Sequence, residues 1–119
     1  MGKYDLRQVY TKADRILKRS EFLRLAKYGR KIQSRYFIAI FGTSPLERTR
    51  LGVTVSKKVG RAVTRSRVKR YLREYFRFNK HHIKRNLDIN IIAKKAAAGL
   101  SSDQTFSSLK HIFNSMKEF

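Results

Sequence analysis

The sequence predicts a two-layer α/β sandwich, a small mixed sheet of about four strands with helices packed on one face, in the order α-β-β-β-α-β-α. Three observations predict it. Short β-branched or alternating runs are bounded by turn residues. Two longer stretches carry apolar residues at helical spacing. The first of these lies between two strand-like runs, and a strand–helix–strand order implies a parallel pairing.

Residues 1–18 are polar, basic and weakly patterned, which predicts a loosely ordered arm ahead of a single domain over 19–119. Ser20 is placed to cap a short helix from Glu21 to about Tyr28, stopped by Gly29. Residues 30–33 are a candidate short strand. Tyr36-Phe37-Ile38-Ala39-Ile40-Phe41 is β-branched and aromatic, and Gly42-Thr43-Ser44-Pro45 closes it with turn chemistry. Leu51-Gly52-Val53-Thr54-Val55-Ser56 alternates large apolar with small residues, so one face is core and the other is flat and open to a ligand. These two runs are expected to pair antiparallel. A long helix from about Val63 to Phe78 follows, with Val68, Leu72, Tyr75 and Phe76 on one buried stripe. Leu87 to Ala93 alternates as a strand. The last helix opens with a capping box at Ser101 and Gln104 and buries Phe106, Leu109, Ile112, Phe113 and Met116.

Composition narrows the class. A chain of 119 residues fits one domain, and 41% apolar residues are too many for a disordered basic tail. With no cysteine, disulfides and thiolate metal sites are excluded, in keeping with a cytoplasmic location. The longest stretch free of charge, Tyr36 to Leu46, has 11 residues, short of the roughly 20 that a membrane span needs. Lys3, Asp5, Arg7, Lys12 and Asp14 stand where a secretory signal needs an apolar run. Leu6 occupies the position where a myristoylation motif wants Ser or Thr.

Charge is the strongest signal. Lys and Arg number 29 against 8 Asp and Glu, a net +21. Such a field attracts polyanions, nucleic acid first among them. A membrane surface is the rival partner, and it requires an amphipathic helix with an exposed apolar face. From Lys57 to Arg77 the basic residues are Lys57, Lys58, Arg61, Arg65, Arg67, Lys69, Arg70, Arg73 and Arg77, with Glu74 the lone acid. At roughly 100° per residue, Ser66, Lys69, Arg70, Arg73 and Arg77 share one arc, opposite Val68, Leu72 and Phe76. A solvated helix face ordinarily mixes signs at four-residue spacing. Here Lys69, Arg73 and Arg77 repel, at a few tenths of a kcal/mol per pair. An anionic partner reverses that penalty. The helix N-terminus adds free N–H groups that favour phosphate, Gly60 eases the turn into it, and arginine suits bidentate phosphate contact.

The block from Ser56 to Arg77, SKKVGRAVTRSRVKRYLREYFR, closely resembles the signature of the bacterial ribonuclease P protein component. That family carries SKK, then G-x-AV, then an Arg-Asn-Arg element that continues as VKR-x-LRE-x-FR. Ser20-Glu21-Phe22 with Gly29, Arg50-Leu51-Gly52 before the SKK strand, and Asp88 after the long helix extend the resemblance to residues 15–117 or so. Ser66 departs from the family's Asn, which puts a side-chain amide contact to RNA in question. Ala26 stands where relatives often carry Phe, and Ile40 where some carry Tyr.

The resemblance implies a left-handed crossover around the long helix, against the general right-handed rule. It implies a protein subunit that joins a catalytic RNA and promotes removal of the 5′ leader from precursor tRNA. The RNA and its Mg²⁺ perform the hydrolysis, and the protein alone holds no cofactor or metal and no catalytic residue. Arg61, Arg65, Ser66, Arg67, Lys69, Arg70, Arg73 and Arg77 are expected to face the catalytic RNA. Phe22, Phe37, Ile40, Ser56, Lys57 and Lys58 are expected to line or border the leader cleft, where unpaired bases lie on aromatic rings. Core packing accounts for Phe22 and Phe37 equally well. No membrane and no obligate protein partner is expected.

Other chemistry is poorly supported. The eight carboxylates, Asp5, Asp14, Glu21, Glu47, Glu74, Asp88, Asp103 and Glu118, form no close cluster in sequence of the kind a two-metal nuclease needs. His81 and His82 are adjacent and project in different directions on a helix, without the cysteines that would support zinc. The remaining alternatives are a structural RNA-binding protein, such as a ribosomal component, and a protein-only nuclease.

Overall fold

A computed structural model describes residues 10–117. Helix α1 (Arg19–Tyr28) leads into strands β1 (Arg30–Gln33), β2 (Phe37–Thr43) and β3 (Arg50–Thr54). Helix α2 (Ala62–Asn79) joins β3 to β4 (Leu87–Ala93), and α3 (Ser102–Met116) completes the order expected.

The sheet order is β1-β2-β4-β3. Strand β4 sits inside because nearly all of it is buried, on both faces, with only Ile92 half-exposed. It pairs antiparallel with β2 (Ala39 opposite Ile91) and parallel with β3 (Val53 opposite Ile91). The antiparallel pair expected between residues 36–41 and 51–56 therefore does not form, because β4 lies between them. The parallel pairing across α2 does form. Strand β3 ends at Thr54, and Gly60, at φ 154°, allows the turn that leads into α2.

Strand alternation sorts the residues onto two faces. Phe37, Ala39 and Phe41, with Leu51, Ile89 and Ile91, point to the helical layer. There they meet Val68, Leu72 and Phe76 of α2 and Leu109, Ile112 and Met116 of α3. Burying each large side chain contributes about 1.5–3 kcal/mol, so this layer dominates stability. The α3 capping box forms as expected: Gln104 N–H donates to Ser101 Oγ (3.1 Å), and Ser101 N–H donates to Gln104 Oε1 (2.9 Å).

Helix α1 departs from the expected one-sided arrangement. It lies on the second face of the sheet, where its Leu25 reaches Gly42. Gly29, which ends it, has no room for a side chain: a Cβ there would lie 2.7 Å from Leu25 O and 2.8 Å from Ile40 Cγ2. Ser20 is not its cap. The helix begins at Arg19, and the Glu21 carboxylate reaches back to the Lys18 N–H. Glu21 is held in that place by a stronger partner. Arg50 of β3 donates from Nη2 to Glu21 (2.7 Å) and from Nε and Nη2 to Asp88 of β4 (2.9 and 2.7 Å).

Where the structure describes the arm expected over 1–18, it is not loose. Residues 1–9 lie outside the described residues. Residues 10–18 pack onto the domain: Ile16 N–H donates to Leu51 O (3.0 Å), Tyr10 meets Phe76 edge-on at 5.8 Å, and Asp14 is 2% exposed between Arg48 (2.6 Å) and Lys80 (3.2 Å). A basic segment without apolar periodicity is nevertheless ordered, because one buried carboxylate gathers two cations.

Removing Asp88 leaves the Arg50 guanidinium buried with half its compensation. Asp88→Ala is expected to cost about 3–5 kcal/mol and Glu21→Ala, more exposed, about 1 kcal/mol, read from urea denaturation midpoints. Acid should weaken the fold in the same way. The Arg50 hydrogen bond holds the Glu21 carboxyl below its ordinary range. Burial raises Asp14, but hydrogen bonds from Thr11, Arg48 and Lys80 outweigh it and leave it lowered. Groups with depressed values contribute stability that is present above about pH 5 and lost as pH falls through about 4 and below. Glu21→Gln is expected to flatten part of that decline between pH 6 and pH 3.

Candidate nucleic-acid interface

The outward arc of α2 is built by helical periodicity alone. Ser66, Arg70 and Arg73 are exposed, with Lys69 and Arg77 half-buried beside them. Glu74 stands 3.4 Å from Arg70 and is the acid on this surface. Asp14, Glu21 and Asp88 are all taken up inside the protein by Arg48, Lys80 and Arg50. These ion pairs keep three carboxylates away from the α2 surface, where Glu74 alone opposes the positive field.

The N-terminal end of α2 is also open to an anion. Arg61 occupies the cap position, no side chain caps the helix, and the first turn holds no acid. Ser56, Lys57, Lys58 and Arg61 are exposed around it. Backbone N–H groups and the helix dipole favour phosphate at such an end.

Arg65 and Arg67, expected to face the catalytic RNA, flank the arc rather than lie in it. Arg67 is half-buried on the flank toward α3 and donates from Nη2 to Ala98 O (2.8 Å). Arg65 is half-buried on the side of the core stripe, and its Nε, like that of Arg77, is buried without a hydrogen-bond partner among the described residues. Both lie at the margin of the basic surface, and each retains further N–H donors.

The second face of the sheet forms a cleft beside α1. Cross-strand rows place Lys31, Ile40, Asn90 and Gly52 in one line and Gln33, Ile38, Ile92 and Thr54 in the next. Thr54 Oγ1 donates to Asn90 Oδ1 (3.0 Å), so Asn90 keeps its amide hydrogens as donors. The Phe22 ring closes one end, lying over Gly52 so tightly that a Cβ there would be 2.4 Å from the ring. Ser56, Lys57 and Lys58 stand just beyond the end of β3.

Phe22 and Ile40 border this cleft, and Phe37 does not. Phe37 is 0% exposed and points into the helical layer. The cause is parity: Phe37 shares a face with Ala39 and Phe41, and Ile38 and Ile40 take the other. Ile38, Ile92, Thr54 and Asn90 were missed as cleft residues. Alternation within β2 and β4 carries the signal for them, but it becomes usable only once a buried face is assigned. The flat face expected at Gly52 is real, and Phe22 of the same chain covers it.

Among the described residues no three His, Asp or Glu side chains gather as a metal site, and no helix is long and apolar enough to cross a membrane. His81 and His82 stack at 4.1 Å on the exposed turn after α2.

A helix face with a single acid among its cations, an open helix N-terminus and a half-apolar cleft on the opposite side of a small sheet fit a nucleic-acid-binding protein. Comparison with known proteins narrows this. The sequence model of the family described as Ribonuclease P matches residues 10–117. The ribonuclease P protein component of Desulfatibacillum aliphaticivorans is 51% identical over 109 residues, 92% of each chain. That of Desulforapulum autotrophicum is 47% identical over 113 residues, 95% of this chain and 93% of the relative. The RNase P protein structure from Staphylococcus aureus superposes with a TM-score of 0.84 at 37% identity, covering 89% of this chain and 97% of that one. The one from Thermotoga maritima gives 0.75 at 31%, covering 82% and 93%. The chain belongs to the ribonuclease P protein component family, whose role is 5′ maturation of tRNA within a ribonucleoprotein.

Gly52→Ala tests the cleft. The new Cβ is expected to push the Phe22 ring off the sheet, while the buried residues of β3 and its ladder with β4 stay in place. Amide exchange of β3 and β4 is expected to remain protected while the Phe22 ring resonances shift. Loss of β3 protection would show that the ring does not yield.

Proposed function

We propose that this chain serves ribonuclease P by docking the α2 arc on the catalytic RNA and receiving the 5′ leader of precursor tRNA in the cleft beside α1. The observation that carries this reading is the run of like charges at four-residue spacing along α2, Lys69, Arg73 and Arg77, with Arg70 beside them. Isolated, they repel. Against sugar-phosphate each contributes a charge-assisted contact, and the released counterions drive binding. Arg61, Arg65, Ser66 and Arg67 extend the same surface toward the helix N-terminus. The Ser66 hydroxyl offers one donor where an amide would offer two.

The cleft suits a single strand. Phe22, Ile40, Ile38 and Ile92 offer apolar and aromatic surface for unstacked bases, Asn90 offers amide donors, and Lys57 and Lys58 stand where a backbone phosphate would pass. Phe37 supports this face only from behind, as core.

The protein's own carboxylates do not fit a hydrolytic Mg²⁺. Asp14, Glu21 and Asp88 are each bound by arginine or lysine, and the described residues bring no acidic cluster together. Metal-dependent hydrolysis is read as the work of the RNA subunit, as the family resemblance implies. The cellular location is that of its RNA partners, the cytoplasm.

Reconstituted cleavage of precursor tRNA is the test. Added to catalytic RNA, the chain should lower the Mg²⁺ needed and favour precursor over mature tRNA; no effect of the protein on cleavage sinks the proposal. If roughly six phosphates are engaged, log affinity should fall with log salt at a slope of about −4 to −5. Arg70→Ala or Arg73→Ala should weaken catalytic-RNA binding and flatten that slope by about one unit. Phe22→Leu should reduce affinity for precursor tRNA and spare leaderless tRNA, and equal losses would remove the cleft from the proposal.

A further inference from the structure

A groove of about 970 Å³ opens between the C-terminal end of α2, the turn that follows it and the length of α3. Its floor is aromatic. Phe106 is half-buried, and Tyr75 meets it edge-on at 5.4 Å while also meeting Phe113 edge-on at 5.0 Å. The Phe106 ring is thus held by the more deeply buried Tyr75, which is itself braced by Phe113. Around the rim stand Lys84, Arg85, Lys110 and Lys117, and none of the described residues lining the groove is acidic. Lys84, Lys110 and Lys117 form no ion pair among the described residues. Arg85 spends one contact on Met116 O (3.2 Å).

Neither proposed RNA surface includes this groove. Tyr75 and Asn79, its α2 wall, lie more than about 100° round the helix axis from the centre of the Ser66–Arg77 arc. The leader cleft is on the other face of the sheet.

We infer that this groove binds one unpaired nucleotide of the catalytic RNA, its base on Phe106 and its phosphates against Lys84, Lys110 and Lys117. Aromatic floor and cationic rim together fit a base that carries phosphate. A protein segment would need acidic groups to match four cations, and an apolar small molecule would leave the rim without partners. The catalytic RNA is the source because the groove shares its wall, the last turns of α2, with the helix along which that RNA lies. The sheet stands between the groove and the leader. The inference rests on the docking of α2 proposed above.

The chain contains no cysteine, so a single introduced thiol is a unique handle. Ser107→Cys, on the groove wall, and Ser66→Cys, on the arc, are each labelled with a short photo-crosslinker. Each full-length protein is then irradiated with catalytic RNA, with and without precursor tRNA. The Ser107 probe is expected to mark an unpaired nucleotide of the catalytic RNA. Marks confined to precursor tRNA or to a paired stem overturn the inference, and so does a silent Ser107 probe. If Ser66 marks catalytic RNA while Ser107 is silent, the groove alone fails. If both are silent, the docking of α2 fails with it. Phe106→Leu keeps the apolar volume and removes the stacking face, and it is expected to lower catalytic-RNA affinity by roughly 5- to 10-fold. Unchanged affinity in a variant that melts like the parent overturns the role of the ring.

Discussion

Arg50 is the constraint on which the arrangement depends. Its guanidinium is buried between β3, β4 and α1, and a charge in that position is tolerable only with its carboxylates present. Asp88 supplies a two-point contact from the neighbouring strand, which fixes the parallel register at that end of the sheet. Glu21 supplies the third contact, and with it the position of α1 on the otherwise open face. Once α1 is there, Phe22 must lie over Gly52, and the cleft acquires a wall. A residue far from any RNA surface thereby decides the shape of one.

The same device manages the charge of the protein. With a net +21, the folded chain repels itself wherever cations crowd. Asp14 and Asp88 are buried and Glu21 is half-buried, each held by arginine or lysine away from the α2 surface. The opposite arrangement, acids spread along α2 at four-residue spacing, would stabilise that helix and blunt its field. The protein keeps its internal ion pairs and leaves the α2 arc with Glu74 alone, so the residual repulsion is relieved only against a polyanion. Core burial is large enough to tolerate this, since each arc pair costs only a few tenths of a kcal/mol.

Much of this was legible in the residues, and the failures have physical causes. The α2 stripe, the α3 capping box and the basic arc are local periodic features, and each formed within a residue or two of its expected limits. Pairing partners are not local. Alternation in residues 87–93 marks a strand, but nothing in it says that the strand will insert between two earlier ones. Phe37 was misplaced for a related reason: two adjacent apolar residues in a strand look alike until one face is known to be core. Residues 10–18 look structureless by hydropathy, because what orders them are single contacts to distant segments: Asp14 with Arg48 and Lys80, Ile16 beside Leu51 and Tyr10 on Phe76. The resemblance of residues 56–77 to a known signature identified the family, yet it carried Arg65 and Arg67 as equals of Arg70, from which burial separates them.

The sheet itself acts as a partition. Its helical face is filled by α2 and α3 and exposes only the outer surfaces of those helices. Its other face is covered by α1 around Gly42 and Gly52 and left partly open over Ile38, Ile92 and Thr54. The α2 arc and the cleft therefore lie on opposite sides of the sheet, separated by that layer, about 10 Å, and by the width of α2, about 10 Å more. Two layers so well packed hold the two surfaces in a fixed relation without a linker or hinge. A change that shifts β3 against β4 moves both surfaces at once, because β3 carries Gly52 under Phe22 on one face and leads into α2 on the other. In a protein of this size the spacing between two ligands is set by strand register, and the register at that edge is set by Arg50 and Asp88.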